Sequence, residues 1–233
     1  LGLVPVPIDC TPTTLNVMKQ DLLARLAEVD LAAVFITNTM GFTGDLFAIQ
    51  ELCRERGIIL LEDNCEALGT ALPGGKRAGT FGVMASFSFF IAHHMSTVEG
   101  GMVCTDDDEL VEMLRIVRAN GWDRNLTAAQ QRKWRKKYGV HSEFIAKYTF
   151  YDLGYNMRPT EITGFLGSCQ LRYLAETVTA RQRIYDHLAA VSARNPDLIA
   201  LDRSHLEVLS CFSFPVLCRT RALRDTYLAQ FSG

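Results

Sequence analysis

Short apolar runs alternate with amphipathic segments along the first half of the chain. "LAAVFI" (31–36) is a continuous apolar run of the kind that fills a strand buried on both faces. "DLFAIQELCRERG" (45–57) brings Leu46, Ile49, Leu52 and Cys53 onto one helical face, and Gly57 is placed to end that helix. "IILLED" (58–63) returns to a buried strand that stops in acid. "MASFSFF" (84–90) and "GMVC" (101–104) predict two further strands. "DDDELVEMLRIVRANG" (106–121) begins acidic and turns basic, the charge order that suits a helix dipole, and Asn-Gly closes it. From Pro159 to about Arg194 the apolar residues Ile162, Phe165, Leu166, Cys169, Leu174 and Val178 recur at helical spacing, with a break expected inside the stretch. Strand character resumes over 207–218, and "RALRDTYLAQF" (221–231) is helical again. Strands alternating with helices predict an α/β fold, a mostly parallel sheet flanked by helices.

Composition narrows this picture. The chain has 233 residues, 48% of them apolar, enough for one sizeable core and part of a second domain. A net charge of −2 gives no global reason to expect a nucleic acid or an anionic membrane as partner. The basic run "RKWRKK" (132–137) reads as a solvated helical face. No apolar stretch approaches the ~20 residues of a membrane span. Seven scattered cysteines without a CxxC pair read as reduced thiols, which points to the cytoplasm. A first residue Leu1 and an end at "AQFSG" suggest part of a longer protein.

Candidate chemistry gathers at the ends of strands, where open parallel sheets bind their ligands. Asp63 ends one strand; it is either a turn or cap aspartate or an acid that pairs with a cationic ring nitrogen. Glu66 could reach the same pocket or lie on the surface. Ser88 ends the next strand and could donate to a phosphate. Five residues later come His93 and His94, then Gly100-Gly101. Adjacent histidines in an extended segment point to opposite faces, so a zinc site shared with His141 is disfavoured and no metal is expected. His94 reads as a packing or orienting neighbour.

Taken together, "LLEDNCEALGT" (60–70), "GTFGVMASFSFF" (79–90) running on to "HHMSTVEGG", and "YDLGYNMRPTEITGFLGSCQL" (151–171) resemble the DegT/StrS sugar aminotransferase family. The resemblance covers nearly the whole chain. It implies a fold type I protein using pyridoxal or pyridoxamine 5′-phosphate. Residues 1–175 would form the large cofactor-binding domain, lacking its N-terminal part, and 176–233 the start of a smaller α+β C-terminal domain. It further implies a homodimer with shared active sites. Asp63 would pair with the pyridine nitrogen, with Glu66 nearby, and Ser88 with the cofactor phosphate. Asn156 would reach the phosphate of the neighbouring subunit's cofactor, and Arg158 the same region.

One departure matters. Most members have a lysine, covalently linked to the cofactor, where this chain has His93. Imidazole lacks the primary amine but still moves protons near neutrality. The pattern is similar to the sugar 3-dehydratase branch of the family, in which His93 would act as acid and base while the C3 hydroxyl of a nucleotide-linked 4-keto-6-deoxyhexose leaves. An iron–sulfur form needs four cysteine thiolates, and no cysteine lies between Cys104 and Cys169. That favours the iron-free branch of GDP-4-keto-6-deoxymannose 3-dehydratases, with glutamate as amino donor. An aminotransferase, a dehydratase of the CDP-sugar type and a non-catalytic cofactor- or sugar-binding relative are the alternatives.

Overall fold

A computed structural model describes residues 2–231. The chain divides into two compact units, Leu1–Cys104 with Phe165–Gly233, and Thr105–Gly164.

The first unit opens with helix α1 (Lys19–Leu26), strand β1 (Ala33–Thr37), helix α2 (Leu46–Arg56) and strand β2 (Ile59–Asp63). A short hairpin, β3 (Ala71–Leu72) and β4 (Lys76–Arg77), precedes β5 (Met84–Ser88) and β6 (Gly101–Cys104). The main sheet has the order β1-β2-β5-β6, with the first three strands parallel and β6 antiparallel to β5. A parallel strand needs a crossover, and α2 supplies it between β1 and β2. Leu46, Ile49, Leu52 and Cys53 are all buried, as their helical spacing requires, and pack with Val34, Ile36 and Leu60. Gly57 ends α2 in the left-handed region, φ 66°.

"LAAVFI" is not buried on both faces. Burial alternates along β1: Val34 and Ile36 are enclosed while Phe35 is 64% exposed, and Ile59 of β2 is 51% exposed. The helices cover one side of the sheet, and a continuous apolar run cannot reveal how many sides are covered.

The second unit holds α3 (Asp108–Val117), α4 (Ala128–Lys137) and α5 (Glu143–Ala146). Asp107 caps α3 by accepting the Glu109 and Leu110 N–H groups. The helix stops at Val117, short of Asn120-Gly121, because the Val117 carbonyl accepts the Tyr155 N–H at 2.6 Å and the Arg118 carbonyl that of Met157 at 2.9 Å. Trp134 of α4 is buried with Ile116, Leu126 and Tyr151, and its Nε1 donates to Glu112 at 2.7 Å.

Helix α6 (Glu161–Leu171) is followed by α7 (Leu174–Ser192), so the expected break falls at Arg172-Tyr173. Beyond them, β7 (Leu198–Ile199) pairs with β8 (Leu217–Cys218), and α8 (Arg221–Phe231) follows. The stretch 207–218 is therefore mostly irregular. Apart from β8 it adds one bridge, Val208 to Ala71.

Candidate active site

The parallel strands bring their carboxyl ends together at Thr37, Asp63 and Ser88. Register sets Asp63 beside Ser86, whose Oγ donates to Asp63 Oδ1 at 3.1 Å. The Cys65 N–H donates to the same oxygen at 3.0 Å. Asp63 thus makes the contact of a turn aspartate, with both of these bonds on Oδ1. Beside it, burial and then the bond to Asp63 push the Cys65 thiol up to about 11. Ser88 lies two residues past Ser86, on the same face of β5. Its Oγ accepts the Phe90 N–H at 3.2 Å, which leaves the hydroxyl proton available to an anion. Glu66 accepts the Met40 N–H through Oε2 at 2.6 Å.

Glu62, which the sequence reading passed over, is only 1% exposed. Strand alternation turns it to the face opposite Asp63. There Oε1 accepts the Phe81 N–H at 2.7 Å and the Gly82 N–H at 2.8 Å, and Oε2 accepts the Gly79 N–H at 2.8 Å. These charge-assisted bonds fix the turn that leads into β5. Gly79 is required in that turn: its φ is +92°, and a Cβ would come within 2.6 Å of the Phe87 ring.

Between β5 and β6 runs the histidine loop. Phe89 closes its neck, donating N–H to Gly100 O and accepting the Thr97 N–H, each at 2.8 Å. The Ser96 N–H donates to Gln170 Oε1 at 2.8 Å. Val98 sits at φ 71°, a costly conformation for a β-branched residue of the kind found at working loops.

The two histidines have different surroundings. His94 is 6% exposed, with Nε2 3.0 Å from the Ser210 carbonyl, so that nitrogen carries the proton. Burial, helped by the charge of Arg181, pushes its imidazole down to about 4. It is a neutral packing post. His93 is half-buried, and its Nδ1 is enclosed without a partner. Its ring lies 6.0 Å from that of Phe90 and 5.0 Å from that of Phe212.

Asp63, Glu66, Ser88 and His93 all belong to the first unit. Asn156 and Arg158 belong to the second, where Asn156 bridges to Ala119 and Arg158 Nε donates to Asn156 Oδ1 at 3.1 Å; both are exposed. Ser86, Glu62 and Phe212 were missed in the sequence. Ser86 alone had a local signal, the period-two repeat it forms with Ser88. A carboxylate, a free hydroxyl proton and an unpartnered imidazole nitrogen suit a protonated heteroaromatic ring that carries a phosphate. Among the described residues no group of three or more His, Cys, Asp or Glu is placed to hold a metal ion, and no helix is long and apolar enough to cross a membrane.

Known proteins share this architecture. GDP-4-keto-6-deoxy-D-mannose 3-dehydratase of Yersinia pseudotuberculosis is 38% identical over 176 residues, which is 76% of this chain and 44% of that protein. The chain spans about half the length of the curated relatives it matches. The Escherichia coli GDP-4-keto-6-deoxy-D-mannose 3-dehydratase with bound hydrated PLP superposes with a TM-score of 0.83 at 32% identity, covering 96% of this chain and 56% of that one. A structure of the same kind of dehydratase with a trapped PLP-glutamate geminal diamine gives 0.82 at 31% identity, covering 96% and 58%. The pattern of one family runs over residues 1–232, and by it the chain belongs to the DegT/DnrJ/EryC1/StrS aminotransferase family.

Proposed function

We propose that the protein of which this chain is part is a cytoplasmic sugar-nucleotide 3-dehydratase. It would remove the C3 hydroxyl of a nucleotide-linked 4-keto-6-deoxyhexose on the way to a deoxysugar of the lipopolysaccharide O-antigen type. The observation that carries the proposal is His93. An imidazole with one enclosed nitrogen occupies the loop where most relatives of this family have lysine, and no lysine lies anywhere in 86–101.

Pyridoxamine phosphate, when bound, would supply the amine that condenses with the keto group and the ring that accepts electrons. The chain's own residues do the rest. Asp63 would accept from the protonated ring nitrogen, its carboxylate oriented by Ser86 and Cys65. Glu66, held by the Met40 N–H, would lie near the same ligand, and Ser88 would donate its hydroxyl proton to the phosphate. His93 would take and return a proton. A histidine cannot anchor the cofactor covalently, so elimination is favoured over completed amino transfer. The lack of cysteine between Cys104 and Cys169 speaks for the iron-free route, with glutamate restoring the amine.

A homodimer fits the exposed apolar side chains of 144–173. Phe144 is 70% exposed, Leu153 92%, Ile162 71% and Phe165 68%, far more than a free surface normally shows in one stretch. Asn156 and Arg158 lie within it and would serve the partner's site.

The test is turnover of GDP-, CDP-, dTDP- and UDP-linked 4-keto-6-deoxyhexoses with pyridoxamine phosphate and glutamate. Loss of the C3 oxygen, fastest with the GDP sugar, is expected. Formation of the 4-amino sugar instead would identify an aminotransferase, and a spectral shift without turnover a binding protein. Borohydride should trap no cofactor on the wild-type chain but should do so on His93→Lys.

A further inference from the structure

The segment 209–212 returns from far along the chain to lie against the histidine loop. Leu209 and Ser210 are fully enclosed. The Ser210 N–H donates to Thr70 Oγ1 at 3.2 Å, and Thr70 Oγ1 donates to Gly41 O at 2.7 Å. A Cβ on Gly41 would stand 2.3 Å from the Ser210 carbonyl oxygen, so only glycine allows this approach. Arg181 Nη1 donates to the carbonyls of Cys211 and Phe212 at 3.0 and 2.9 Å. The Phe212 N–H donates to Met40 O at 2.9 Å.

So fixed, the Phe212 ring meets both histidines, with centroids 5.0 Å from His93 at 51° and 6.3 Å from His94 at 45°. Phe90 meets His93 from another side at 77°. The His93 side chain has no hydrogen-bonded partner at Nδ1 to orient it; ring contacts take that part. The main chain of Met40 joins the two halves of the site, because its N–H goes to Glu66 and its carbonyl to Phe212.

We propose that Phe212 is a positioning residue, setting the plane of the His93 imidazole and tying it through Met40 to Glu66. The inference rests on the dehydratase reading only for its kinetic consequence; the ring contact stands apart from it. Misplacing a proton carrier by a fraction of an ångström costs turnover and leaves binding intact.

Phe212 is half-buried, so Phe212→Leu keeps most of its volume and removes the ring. The full chain is labelled at histidine, and the His93 ring resonances, assigned by their loss in His93→Asn, are followed by NMR without ligand. Phe212→Leu is expected to shift them by removing the ring current, and Phe212→Tyr to restore them. With substrate, Phe212→Leu should lower kcat roughly tenfold at unchanged KM, and Phe212→Tyr should recover it. Unmoved His93 resonances overturn the contact. Moved resonances with wild-type kcat overturn the positioning role. If the wild-type protein does not turn over the sugar, the dehydratase reading fails by itself, and the resonance shift and its rescue decide the positioning of His93.

Discussion

The strand-end cluster around Asp63 and the exposed stretch around Asn156 handle polar groups in opposite ways. In the first, each oriented side chain is held by groups of the same unit: Asp63 by Ser86 and Cys65, Glu62 by three backbone N–H groups, His94 by Ser210. In the second, Asn156 and Arg158 bond to each other and stand in solvent among exposed aromatic and aliphatic side chains. A preorganised half of a site can be read from one chain. Beyond their bond to each other, the Asn156 and Arg158 side chains have no such support among the described residues of their own unit, and under the proposed homodimer the partner subunit would orient them.

The largest effect that tests the contrast is catalytic. His93→Asn should lower turnover by roughly 10²- to 10⁴-fold, the range for losing a general acid–base, while the cofactor still binds. Asn156→Ala should also be poorly active, and a refolded equal mixture of the two variants should regain about a quarter of wild-type activity, because one site in each mixed dimer is intact. Failure to complement would return Asn156 to its own subunit's surface. Next in size is stability. Glu62→Gln places an amide N–H against backbone donors and should cost about 1–3 kcal/mol by denaturant titration. Arg158→Gln in the exposed stretch should stay within about 0.5 kcal/mol. Equal losses would erase the distinction between the two regions.

A more gradual effect is a pH slope. The His94 imidazole titrates near 4 in the folded chain against 6.5 when free. Between those values the unfolded chain holds the proton and the folded chain does not. Its contribution is therefore complete above about pH 6.5 and declines as pH falls toward 4, by about 1.4 kcal/mol per pH unit at most. Unfolding titrations at pH 7, 6 and 5 should show the decline, and His94→Gln should flatten it.

What the sequence made legible follows from range. Helix α2 was readable because four apolar residues at helical spacing and a terminal glycine are local facts. The strand ends at Asp63 and Ser88 were readable because short apolar runs stop there, and His93 lies where the sequence put it, in the loop after that strand. Glu62 was silent: its meaning depends on the N–H groups of Gly79, Phe81 and Gly82, which only the folded turn presents. Phe212 was silent for the same reason, its partners being distant in sequence. The early end of α3 came from carbonyls diverted to Tyr155 and Met157, a tertiary override of a good local signal.

Phe89 knots the entrance and the exit of the histidine loop to one residue. The backbone path from 90 to 96 starts and ends at that knot and is tied further by Ser96 to Gln170 and by His94 to Ser210. Neither Phe89 bond uses the His93 side chain, so a substitution at position 93 removes no tie at the neck of the loop.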